Sequence, residues 1–311
     1  IHKGLEAVAE TWVDDDFTIA TPGWGTTHFA TIQDAVDNTE SGGTVNVAAG
    51  SYIEEVIISL PLSLKGPNYG INPNTGIRNA EAILIPANSD PDPYSRTAEV
   101  VIYLSGALNG VEIDGFTIDG DNTSLTSTIN LNGANIDACE GIAGYDGAAS
   151  VAIRNNILKN ISYAAVDFYN YSNSGGPTSN NVIQFNKIDN IGGLPFFGIG
   201  FLIYNNFYAD IINNVTTRTR VGIQTGNFYN ADPGITHNIS NNNIESGRLG
   251  LFYNLHYSNA SSFTVANNIF NTQAGAANNW GIEISSQGSA VSAIFSGNTI
   301  SGAFIGVDYW N

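Results

Sequence analysis

Six octapeptides in the C-terminal half share one pattern, and that pattern limits the folds open to this chain. They are Ile153–Asn160 (IRNNILKN), Ile183–Asn190 (IQFNKIDN), Ile211–Arg218 (IINNVTTR), Ile239–Ser246 (ISNNNIES), Val265–Thr272 (VANNIFNT) and Phe295–Gly302 (FSGNTISG). In each, an apolar residue is followed three positions later by asparagine and then, usually, by another apolar residue two positions on. The aligned asparagines are Asn156, Asn186, Asn214, Asn242, Asn268 and Asn298, so the period is about 28 residues. Ile113–Gly120 (IDGFTIDG) fits the same frame with Phe116 in the asparagine's place.

A second motif follows each of these, a small residue leading a short apolar alternation. Examples are Ala165–Tyr169 (AVDFY), Gly198–Leu202 (GIGFL), Gly222–Gly226 (GIQTG), Gly250–Asn254 (GLFYN), Gly281–Ser285 (GIEIS) and Gly306–Trp310 (GVDYW). Helical solenoids can have similar periods, but they need long 3.6-period stripes, whereas these runs are short, β-branched and alternating. Strands that return once per repeat stack in parallel on their equivalents, about 4.8 Å apart. The expected fold is therefore all-β: a single-stranded right-handed parallel β-helix with a short N-terminal capping helix. Stacked asparagines can hydrogen-bond their copies above and below, which satisfies amides that would otherwise be costly to bury. They read as structural and not as a site.

Composition removes several functional classes. At 42% hydrophobic residues the chain is too apolar for disorder, and a net charge of −18 opposes nucleic-acid binding. No apolar run is long enough to insert into a membrane. Cys139 is the one cysteine, so no intrachain disulfide is possible, and it reads as a small buried hydrophobe. Methionine is absent, and Asn, Ser, Thr and Gly abound, which suits a secreted or bacterial cell-surface protein that has been processed or excised from a longer chain. Sequons such as Asn160-Ile161-Ser162 and Asn214-Val215-Thr216 fall inside apparent strands and read as products of the repeat.

Residues 1–43 form the expected entrance and cap, with a helix over Phe29–Asn38 whose apolar face holds Ala30, Ile32 and Val36. Coils occupy 44–311 as one domain, with strands at Thr44–Ala48, Val56–Ser59 and Leu62–Lys65 and loops at Gly66–Asn79 and Ser89–Ser95. The C-terminal strand motif has no obvious cap, which points to a longer polypeptide or a covering partner.

Ala30–Asn38 (ATIQDAVDN) followed by Gly50–Glu54 (GSYIE) resembles the first-coil signature of the pectin-lyase-like superfamily, notably pectin methylesterases. Ser59–Gly76 and Val111–Asn122 resemble β-helix modules of large secreted or surface proteins of bacteria. The resemblance covers nearly the whole chain and implies the fold. Its activities range over lyases, hydrolases, esterases, epimerases and non-catalytic adhesins, so it does not choose among them. Val166-Asp167-Phe168 echoes a pectin methylesterase segment whose companions are missing. The motifs of polygalacturonases and pectate lyases are not apparent.

Side chains at equivalent outward positions should form columns. One column aligns Ala143, Asp167, Gly200, Gln224, Phe252, Glu283 and Asp308. Another, two residues on, aligns Tyr145, Tyr169, Leu202, Gly226, Asn254, Ser285 and Trp310. Tyr145 and Tyr169 then offer aromatic faces beside Asp167 and Asp146, and those two carboxylates are the expected catalytic pair for hydrolysing a glycosidic bond, with Glu283 and Asp308 the second choice. Arg218, Arg220, Arg248 and His256 are candidate substrate-binding residues, against the plainer reading that the arginines pair with acids such as Glu245. Asp119 and Asp121 are candidate calcium ligands in a tight acidic loop; no other cofactor is implied. The resulting expectation is a carbohydrate-active module, monomeric or part of a larger chain, that binds and can cleave a polysaccharide, with glycoside hydrolysis favoured over lyase chemistry. The competing expectation is a non-catalytic stalk or adhesive module of a large surface protein.

Overall fold

The computed structural model describes residues 7–95, 98–170, 178–227, 236–255, 261–273, 278–286 and 291–310. Among these, two long sheets run side by side, one of 11 strands and one of 15, and every strand pair in them is parallel. The exception to parallel pairing is a small antiparallel hairpin, Ile129–Leu131 with Ala134–Ile136. The chain winds between the sheets once per coil, so each strand lies on its equivalent from the previous repeat. This is the expected right-handed parallel β-helix.

The register follows the repeat. Ile113, Ile153, Ile183, Ile211, Ile239 and Val265 pair in succession and are buried in the core. The asparagines behind them form the ladder. The Oδ1 of Asn186, Asn214, Asn242, Asn268 and Asn298 each accepts from the backbone N–H of the asparagine one coil earlier, at 2.9–3.1 Å. Each Nδ2 donates to the carbonyl of the preceding coil, as Asn214 does to Ile183 at 2.8 Å. Asn156 Oδ1 accepts from the N–H of Phe116, so the substituted position starts the ladder. The residue before each ladder position is left-handed: Gly115, Asn155, Phe185, Asn213, Asn241, Asn267 and Gly297. Glycine and asparagine tolerate that conformation best, which explains the paired Asn-Asn in the motif.

The cap differs slightly from expectation. The helix spans Ile32–Asn38, starting after Thr31, and buries Ile32, Ala35 and Val36. Ala30 precedes it. Glu54 reaches back to accept from the N–H groups of Ile32 and Gln33 at 2.8 and 2.9 Å, satisfying two donors at the helix start. The two halves of the first-coil signature therefore touch. The strand expected at Thr44–Ala48 begins earlier, spanning Thr39–Val47, and strands at Val8–Val13 and His28–Phe29 precede it.

The columns need one correction. Asp167 pairs with Leu202, not Gly200, and Tyr169 pairs with Tyr204. From there the order is as expected: Leu202, Gln224, Phe252, Glu283, Asp308.

Candidate active site

The strands Ala138–Gly144 and Ile157–Tyr169 lie on adjacent coils, but their register slips. Ala138 faces Ile161, whereas Glu140 faces Ala164. The extra residue is a bulge, a device that re-aims side chains and is common beside active sites. Beyond it, two consecutive side chains on the second strand, Ala165 and Val166, both enter the core. On the first strand Ile142 enters the core, and a Cβ on Gly141 would meet the core residues Leu158 and Ile161. The residues flanking this inward pair, Glu140 on one coil and Asp167 on the next, are thereby brought together.

Glu140 is 6% exposed and Asp167 1%. Their carboxyls lie close together in the buried wall, and each acts on the other's titration. Burial pushes Glu140 up to about 7, and hydrogen bonds from Tyr145 and Asp167 partly oppose the shift. Asp167 is raised well above the usual carboxylate range, first by burial and then by the neighbouring Glu140 charge. Burial and mutual proximity therefore favour the protonated form of both carboxyls. Tyr145 Oη donates to Glu140 Oε2. Asp167 Oδ1 is buried without a hydrogen-bond partner.

The pair lies on the wall of a cavity of about 360 Å³ that Tyr94, Tyr145, Tyr163, Tyr169 and Phe197 also line. Tyr103, Tyr145 and Tyr169 stack along the axis with ring centroids 5.5 and 4.7 Å apart. Phe197 meets Tyr163 edge-on at 5.0 Å and Tyr94 at 5.6 Å. Ser162 Oγ donates to the Pro91 carbonyl at 2.5 Å and anchors the loop that carries Tyr94.

No family model and no curated protein matches the sequence. Solved structures do match. A pectin methylesterase from Aspergillus niger overlays with a TM-score of 0.54 at 14% identity, covering 96% of this chain and 88% of that one. The chain has the pectin-lyase-like fold. An alginate lyase from Paenibacillus sp. overlays at 0.48 and the A-module of an Azotobacter vinelandii mannuronan C-5 epimerase at 0.46, each at 14% identity over 90% of this chain and 95% and 93% of theirs. The first of these overlays speaks for the parallel β-helix fold and for nothing finer.

On this pectin-lyase-like frame the residues nominated from sequence separate. Asp167, Tyr145 and Tyr169 meet at the cavity. Asp146 does not: it is exposed, and its carboxylate accepts from the Gly106 N–H at 3.2 Å. The carboxyl beside Asp167 is Glu140, which the sequence reading missed. Strict alternation from Ala143 places Glu140 inward, and the bulge and bend reverse it. The available signal was a lone acid inside the otherwise small and apolar run ACEGIAG.

Glu283 and Asp308 pair on adjacent coils as expected, and burial raises Glu283. Asp308 accepts from Trp310 Nε1 at 2.9 Å. Arg218 is committed to Asp189 and not to Glu245. Arg220 and Arg248 lie on adjacent coils without ion pairs among the described residues. His256 lies outside the described residues. Asp119 is bound by Lys159 Nζ at 2.7 Å and Asn160 Nδ2 at 2.7 Å, and Asp121 accepts from the Asn135 N–H. These contacts engage both oxygens of Asp119 and the Oδ2 of Asp121. Among the described residues, the three acids whose oxygens lie within reach of one another are Asp14, Asp15 and Asp16. Cys139 is buried, and burial raises its thiol, so it offers no thiolate.

Proposed function

We propose that this chain binds a polysaccharide on its outer face and hydrolyses an ester carried by that polysaccharide, using Glu140 and Asp167. The observation behind this reading is the adjacent pair of buried carboxyls on the wall of an aromatic cavity. The glycosidase expectation needs two carboxyls about 5–9 Å apart, flanking the bond. Two carboxyls close enough to shift each other's titration suit the addition of one water to a carbonyl better.

Glu140, ionised near neutrality, takes a proton from the water as its oxygen bonds to the ester carbon. Asp167 gives its proton to the departing alcohol oxygen as the C–O bond breaks. The products are an acid and an alcohol. The proton then returns from Glu140 to the adjacent Asp167, which resets the pair. Tyr145 orients Glu140 and stabilises its charge. The tyrosine faces support sugar binding, since rings stack on apolar faces while hydroxyls reach polar groups. A stalk would call for an unindented face here, so the cavity favours an enzyme over an adhesive module. A secreted or surface location, with the chain monomeric or one module of a larger protein, belongs to the same proposal.

The test is a panel of methyl- and acetyl-esterified polysaccharides, assayed for released methanol or acetate and, separately, for new reducing ends. Ester products without chain cleavage are expected, and Glu140→Gln should lower kcat about 100-fold or more. The rate should climb with pH through about 7 as Glu140 ionises, then fall once Asp167 loses its proton. New reducing ends in place of ester products would overturn the ester assignment, and an unaffected Glu140→Gln enzyme would remove the pair from the chemistry.

A further inference from the structure

Cations are scarce in this chain, and half of those described are neutralised. Arg78, Arg154, Lys159 and Arg218 form ion pairs with Glu81, Glu112, Asp119 and Asp189. Arg220 and Arg248 form none among the described residues. Val221 pairs with Leu249, so the residues preceding them, Arg220 and Arg248, sit on adjacent coils at a second bulge. Arg220 is held by the Phe196 carbonyl at 2.8 Å. Arg248 lies 5.5 Å over the Trp280 ring. Both Arg248 Nε and Trp280 Nε1 are buried donors without an acceptor among the described residues. Two adjacent guanidiniums repel, and orphaned buried donors cost free energy, so the arrangement is unfavourable until an acceptor arrives. Burial and the Arg248 charge hold Arg220 below its ordinary value, as unneutralised neighbours should.

The position relates this pair to the carboxyl site. Asp167 pairs with Leu202 and Leu202 with Gln224, which shares a strand with Arg220. Arg220 therefore lies two coils beyond Asp167, about 10 Å along the axis, and Arg248 three. Phe197 lines both the carboxyl cavity and a larger one of about 870 Å³ that Arg218 and Arg220 line.

We propose that Arg220 and Arg248 form a subsite for one anionic group, a carboxylate or sulfate ester, on the polysaccharide whose ester meets Glu140 and Asp167. The substrate is then an acidic glycan, charged a short distance along from the ester. This rests on the polysaccharide reading above, though not on its chemistry. The pair also supplies the local positive field that a chain of net charge −18 needs to accept such a polymer.

Calorimetry with three tetrasaccharides on one galactose skeleton tests this: uncharged, carboxylated (galacturonate) and sulfated. The charged tetramers should bind about tenfold tighter than the uncharged one, and the better of the two identifies the group. That advantage should shrink in the unsubstituted protein as salt rises from about 50 to about 500 mM. It should vanish in the Arg220→Gln/Arg248→Gln double variant, while Lys187→Gln, which removes an exposed charge elsewhere, should keep it. Glu283 is the acid whose charge acts on Arg248, so Glu283→Gln should strengthen charged binding. Equal affinity for charged and uncharged tetramers, or a preference insensitive to salt, would overturn the proposal even if the double variant fails to fold. Glu140→Gln should retain the preference. If it does while the unsubstituted protein hydrolyses no ester, the chemistry fails and the subsite stands.

Discussion

Asn214 shows what one side chain contributes to this fold. Its Oδ1 accepts from both the backbone N–H and the Nδ2 of Asn186, its Nδ2 donates to Ile183 and Asn242, and it is fully buried. Alanine there would orphan the Asn186 N–H and the Ile183 carbonyl inside the core. Each orphan costs about 1–3 kcal/mol, so Asn214→Ala should lose roughly 3 kcal/mol in denaturant titrations. Asn298 ends the described ladder and is only partly buried, so Asn298→Ala should cost clearly less. Equal losses would mean that the asparagines act independently and not as a chain of bonds. The same accounting, applied to Glu140 and Asp167, gives the opposite result. Their burial is only partly compensated, since Asp167 Oδ1 is left without a partner. The ladder asparagines are satisfied on every side, whereas the carboxyl pair is buried with part of its hydrogen-bonding capacity unused.

At the level of strands, the sequence showed the repeat because its marker is chemical: an amide at a left-handed turn cannot be exchanged for an arbitrary residue. It misled where the marker was ambiguous. Gly198 and Gly200 both fit the small-residue position, and a two-residue slip preserves the in–out alternation, so nothing in the pattern rejects Gly198. Packing selects Gly200, because a Cβ there would lie 2.6 Å from the Gly222 carbonyl. Gly222, Gly250 and Gly281 continue the stack, each against the carbonyl of the next coil. Glu140 stayed hidden for a related reason, since a bulge leaves no mark on composition while reversing the facing of the residues before it. Asp167, Tyr145 and Tyr169 were legible because they lie past the bulge, where alternation resumes. The stack gives a direct test. At Gly250 a Cβ would stand 2.5 Å from the Gly281 carbonyl and 2.7 Å from Phe270, so Gly250→Ala should cost roughly 1–3 kcal/mol. Gly306 has the equivalent position with nothing within 4 Å, so Gly306→Ala should be close to neutral. Similar melting curves for the two variants would show that coil-to-coil contact does not set the register.

Across the whole molecule, the buried acids set an unusual pH response. Burial raises Glu54, Glu99, Asp114, Glu140 and Asp167, whereas Asp189, paired with Arg218, is lowered. A carboxyl raised in the fold is fully accommodated below its unfolded value, near pH 4, and becomes a liability as pH climbs through its folded value. His237 works the other way. Burial lowers it to about 4, so between pH 4 and its unfolded value near 6.5 it favours the fold as pH rises. Several acids oppose this one imidazole, and above pH 6.5 it no longer contributes. Self-repulsion at a net charge of −18 acts in the same direction as the acids. Stability should therefore fall between pH 5 and pH 8, contrary to the usual carboxylate behaviour. Glu140, raised from 4.5 to about 7, accounts for roughly 3 kcal/mol of that fall. Thermal melts at the two pH values check it: Tm should be lower at pH 8, and Glu140→Gln should raise Tm at pH 8 without raising it at pH 5. A Tm that increases with pH, or a Glu140→Gln variant equally stabilised at both values, would mean that the pair is hydrated and ionises freely, and that the retained proton behind its chemistry does not exist.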